Sequence, residues 1–101
     1  MMNLIIPKIG LPATLEQLAE EAAELGQAAL KVARVIRGEN PTPVDYAQAV
    51  DHLQGEVGDV RLCLKVLEDA FPYALNTEAN EQAKLNRWLD RLDRFQQGDR
   101  G

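Results

Sequence analysis

Residues 18–36, LAEEAAELGQAALKVARVI, place apolar side chains at Leu18, Ala22, Leu25, Ala29, Val32 and Ile36, the alternating four-and-three spacing of one face of an α-helix. No strand-like alternation competes with this pattern, so the stretch predicts a long amphipathic helix. At about 100° per residue, Glu21 falls at the edge of the apolar stripe, with Glu24 and Lys31 further towards solvent on the same side. The expected start is Thr14, whose side chain can cap the backbone while Gln17 occupies the reciprocal capping-box position. Gly38 is the expected stop, giving a helix over about 14–37.

Outward from this helix the chain repeats the pattern twice. The turn GENPTP follows Gly38, and Thr42 is then the expected cap of a second helix, with Pro43 at its first position, Asp45 in its first turn and an end near Ala70. FPYALN interrupts the pattern, and a third helix is expected from Asn76 or Thr77 to about Phe95, before the polar tail QQGDRG. The fold class is therefore all-α: a bundle of three main helices per chain, over about 14–37, 43–70 and 77–95, within a single domain spanning residues 1–101. A chain of 101 residues with 46% hydrophobic content has a core but a small one, so oligomerisation into a homodimer or homotetramer is expected to complete it.

The second helix carries its own acids inside an apolar context. Leu53, Val57, Val60, Leu64 and Leu67 form one face, Leu62 and Val66 add a second, and Glu56 and Asp59 lie between them in LQGEVGDVRL. Gly55 and Gly58 bracket Glu56 although each costs about 1 kcal/mol relative to alanine in a helix. They read as points of close helix–helix approach, or as room for a ligand phosphate beside the acids.

Composition narrows the classes of function. Net charge is -5, which argues against a nucleic-acid partner, because displacing counterions from a phosphate backbone needs a basic surface. The single cysteine, Cys63, excludes an intrachain disulfide, and a reducing cytoplasm is the expected setting. The opening MMNLIIPKIGLP has no basic leader and is cut by Pro7 and Pro12, so it reads as neither a signal peptide nor a membrane span.

Two acid pairs at three-residue spacing, Glu21/Glu24 and Glu56/Asp59, can converge if their helices pack antiparallel. Two carboxylates about 5 Å apart repel by roughly 3 kcal/mol at an effective dielectric near 20. Such a cluster needs a cation or raised pKa values to persist. Carboxylate oxygens without a Cys/His zinc set favour a hard ion, Mg2+ or Mn2+, and Mg2+ is commonly shared between protein carboxylates and substrate phosphates. The implied chemistry is metal-assisted hydrolysis at phosphorus.

With EEAAE at residues 20–24 followed by Lys31 and Arg34, and EVGD at residues 56–59 preceded by an NPTP turn, the chain resembles the MazG-like all-α nucleoside triphosphate pyrophosphatases, whose signature is ExxE on one helix and ExxD on the next. The resemblance covers about residues 14–70. It implies Mg2+-dependent cleavage of a nucleoside triphosphate between the α and β phosphates, giving a monophosphate and pyrophosphate. It further implies that Glu21, Glu24, Glu56 and Asp59 are metal ligands and that Glu20 is an additional acid, for a second ion or for orienting water.

Other residues carry weaker signals. Lys31, seven residues after Glu24 and so on nearly the same face, is a candidate phosphate contact together with Arg34; an ion pair is the alternative for Lys31. His52, one turn before Glu56, reads as a surface or interface histidine, with support of Glu56 as the alternative. Lys84, Arg87, Arg91 and Arg94 read as a solvated stripe paired with Asp90 and Asp93, with a triphosphate contact as the alternative. Tyr46, Phe71, Tyr73 and Trp88 could each stack on a base or serve packing. A non-catalytic interaction module with an acidic face is the competing function, whereas a di-iron bundle lacks its ExxH partner.

Overall fold

Gly10 decides where the longest helix begins. The computed structural model describes residues 2–38 and 45–100, with side chains to residue 96. A 3-10 turn, Met2–Leu4, leads into a short helix α1 (Ile5–Ile9), and Gly10 at φ 91°, ψ 155° turns the chain into α2 (Leu11–Arg37). Prolines do not prevent this, because Pro7 and Pro12 both sit in first turns, where the missing N–H has no intrahelical acceptor. Thr14 is therefore not the cap expected from the sequence. It lies one turn inside α2, buried, with its Oγ1 donating to the Gly10 carbonyl at 2.8 Å. Gly38 ends the helix as expected, at φ 67°, its N–H donating to the Arg34 carbonyl at 2.9 Å.

The expected cap Thr42 and first-turn Pro43 lie outside the described residues. The cap that forms is Asp45, one residue before α3 (Tyr46–Leu67): its Oδ1 accepts from the Gln48 N–H at 2.8 Å, and its own N–H donates to Gln48 Oε1 at 3.2 Å. After turns through residues 68–77, α4 (Glu78–Arg100) starts close to the expected place, with the Thr77 carbonyl accepting the Glu81 N–H, and continues past Phe95 into the polar tail. The described residues thus form four α-helices and no strand, three of the helices being long. No described helix is long and apolar enough to cross a membrane.

The chain divides into two compact units, Met1–Ala70 and Phe71–Gly101. In the first, α2 packs on α3 and α1 packs on α2. Glu21 meets Glu56, while Thr14 and Gln17, earlier in α2, share a cavity wall with Cys63 and Val66, later in α3, so the two helices run antiparallel. Their buried stripes have a regular register. On α2 the inward positions are Leu11, Thr14, Leu18, Glu21, Leu25, Ala28, Val32 and Val35; on α3 they are Ala49, Leu53, Glu56, Val60, Cys63 and Leu67. Both follow a strict three-and-four repeat, the knobs-into-holes seam of a helix pair.

This register corrects the expected one. Ala22, Ala29 and Ile36 are exposed, and Ala28, only 1% exposed, takes the place given to Ala29. Leu62 and Leu64 on α3 are also exposed, although Val66 is half-buried. A stripe that includes an acid is displaced from the one drawn through purely apolar residues. In the second unit, Leu85, Trp88, Leu89, Leu92 and Phe95 repeat at helical spacing along α4 and are all exposed.

Candidate metal centre

Glu21 and Glu56 occupy core positions of the α2/α3 seam, where each neighbouring stripe residue is apolar or small. Each acid has one oxygen held from its own helix. Gln17 Nε2, one turn before Glu21, donates to its Oε1 at 2.8 Å; His52 Nε2, one turn before Glu56, lies 3.2 Å from its Oε1. The second oxygens differ. Glu21 Oε2 and Glu56 Oε2 are both buried and have no hydrogen-bond partner among the described residues. A buried carboxylate oxygen without a donor is costly, and a bound water or cation is the usual remedy.

Glu24, exposed and one turn beyond Glu21, completes a group: Glu21, Glu24 and Glu56 each offer one oxygen, all within 4.8 Å of one another. Opposite ligands of an octahedral Mg2+ ion are separated by about 4.2 Å, since each Mg–O bond is near 2.1 Å. The three oxygens are thus somewhat more widely spread than the ligands of a bound Mg2+ ion. The donor set is all-oxygen and anionic, which suits Mg2+ or Mn2+.

Electrostatics report the crowding. Burial pushes the Glu21 carboxyl above its ordinary pKa; the Gln17 hydrogen bond opposes the shift, and the charges of Glu24 and Asp59, with a contact to the Asp59 carboxyl, add to it. Asp59 is exposed and stands beside Glu21, outside the three-oxygen group. Burial also pushes the Cys63 thiol up, with Glu21 and Asp59 contributing.

Of the residues singled out from sequence, Glu21, Glu24 and Glu56 converge and Asp59 adjoins them, whereas Glu20 is exposed and outside the group. Lys31 and Arg34 are half-buried further along α2, Lys31 about 10 Å beyond Glu24 by helical rise. Gly55 and Gly58 mark no close approach among the described residues of the chain: a Cβ built on either meets nothing within 4 Å. Tyr46, Tyr73 and Trp88 are exposed, and Arg94 pairs with Asp90. The sequence reading passed over Gln17 as a brace. Its signal was a polar side chain four residues before a core acid, the relation His52 bears to Glu56.

Comparison with protein-family models, with curated proteins and with solved structures finds no match.

Proposed function

We propose that the chain is a Mg2+-dependent nucleoside triphosphate pyrophosphatase of the MazG-like kind, hydrolysing the bond between the α and β phosphates. The observation that carries this reading is the pair of buried oxygens without a hydrogen-bond partner among the described residues, Glu21 Oε2 and Glu56 Oε2, within a three-carboxylate group whose oxygens lie within 4.8 Å of one another. Glu21, Glu24 and Glu56 would hold the ion, with Asp59 at its side. A bound divalent cation neutralises phosphate charge and lowers the pKa of coordinated water. Gln17 and His52 fix the two core carboxylates, so little reorganisation accompanies loading. Lys31 and Arg34 are the cations for the phosphate tail, and Glu20 is the reserve acid of the resemblance.

The reading extends to assembly and setting. The exposed apolar row of α4 supports a homodimer or homotetramer, and the lone cysteine fits a cytoplasmic protein. The deciding experiment is pyrophosphate release from the common ribo- and deoxyribonucleoside triphosphates, with Mg2+ and with chelator. Magnesium-dependent release that disappears in Glu56→Ala supports the assignment. Inertness towards every triphosphate overturns it in favour of a helical interaction module.

A further inference from the structure

A cavity of about 180 Å3 lies between α1 and the adjoining parts of α2 and α3, walled by Ile5 and Ile9 on one side and Leu62 and Val66 on the other. Gln17 and Cys63 form its end nearest the acids, and Thr14 also lines it. We propose that this cavity is the base subsite of the enzyme and that it seats a single-ring base, a pyrimidine, of the nucleoside triphosphate. The inference rests on the hydrolase reading above and adds a location and a substrate class to it.

Position is the first argument. Gln17 lines the cavity and also donates to Glu21, while Cys63 lines it one turn after Asp59 on α3. Four residues of helix rise about 6 Å, so the slot opens one turn from the carboxylates, a separation that a pentose bridges between α phosphate and base. The charges of Glu21 and Asp59 reach the Cys63 thiol, which places cavity and acids in one neighbourhood.

Size is the second. An apolar cavity of about 150 Å3 takes up benzene, so a slot of about 180 Å3 is filled by one six-membered ring, and the second ring of a purine would have to project through the open side. Chemistry is the third. The walls are aliphatic, and at the margin the Thr14 hydroxyl proton goes to the Gly10 carbonyl and one Gln17 Nε2 proton to Glu21. A ring is therefore held by its faces, with its polar edge towards the open side. Uracil and cytosine are then separated weakly, and one ring from two strongly.

The test is calorimetric titration of the full chain, in Mg2+, with non-hydrolysable α,β-methylene analogues of pyrimidine and purine nucleoside triphosphates and with inorganic tripolyphosphate. Pyrimidine analogues are expected to bind at least about tenfold more tightly than purine analogues or tripolyphosphate. Filling the slot with Val66→Phe, or with the milder Cys63→Met where the first variant does not fold, should remove that advantage and leave tripolyphosphate binding unchanged. Equal binding of purines and pyrimidines, or a preference that survives in a folded filled variant, overturns the subsite while the metal site stands. A filled variant that alters oligomeric mass in light scattering but not nucleotide binding also overturns it, by making the slot an interface. If tripolyphosphate itself shows no Mg2+-dependent binding, the hydrolase reading fails, and the subsite with it.

Discussion

Glu21 and Glu56 face each other across the α2/α3 seam, each bringing an unpartnered buried oxygen to a group whose ligand atoms lie within 4.8 Å. In a helix pair with no cation to bind, those two stripe positions would favour leucine or valine. Metal-free protein should therefore gain stability from Glu21→Leu, seen as a higher melting temperature, and lose its response to Mg2+. A melting temperature lowered by this substitution would show that the acid stabilises the empty fold.

Magnesium should stabilise the wild-type chain by mass action, by about 2.7 kcal/mol at a hundredfold excess over Kd. Differential scanning calorimetry with Mg2+ and with chelator measures this. Identical melts in the two conditions count against the site.

The bracing residues make a separate prediction. Gln17→Ala and His52→Ala should each weaken Mn2+ binding roughly 10–100-fold, because each frees a carboxylate held from its own helix. Electron paramagnetic resonance titration reads the free ion directly; unchanged affinity in both variants would mean that the ligands need no support.

Acidity should act on the metal-free protein through Glu21. Its pKa is raised in the fold, so the native state holds this proton more tightly than the unfolded chain. The stabilisation is fully present below the ordinary glutamate value and is lost as pH rises through the raised one. Urea midpoints between about pH 4 and 7 should show a downward component that Glu21→Gln removes. A slope left intact by that variant would assign the proton elsewhere.

At the start of α3, Asp45→Ala should cost about 1 kcal/mol by removing the acceptor for the Gln48 N–H. For a chain of this size that is a fall of roughly 4–8 °C in melting temperature. Because the box is reciprocal, Gln48→Ala added to Asp45→Ala should cost less than the sum of the two single changes, as a double-mutant cycle would show.

The all-helical class and the two acid motifs were legible because three-residue spacing and helical periodicity are local properties. Register was not. Adjacent alanines at positions 22–23 and 28–29 satisfy an inward or an outward placement equally well, so apolarity alone could not choose between Ala28 and Ala29. The choice depends on what faces α2 from α3, where Glu56 stands opposite Glu21. Helix starts failed for a related reason: Thr14 has the chemistry of a cap, but Gly10 supplies a positive φ and Pro12 tolerates the first turn, so α2 begins earlier. Gly55 and Gly58 have no contact among the described residues that would explain them, because the space beside a helical glycine is set by the neighbouring elements and not by its own stretch of chain.

Each core carboxylate is steadied from its own helix, by Gln17 on α2 and His52 on α3, while the group itself exists only between the helices. The helix pair therefore presents two preset jaws, and how far the seam is shut sets the distance between them. If the group holds an ion as proposed, ion affinity becomes a gauge of seam closure: a core substitution far from the acids, such as one at Ala28 or Leu67, should register as weaker chelation before it registers as lost helix.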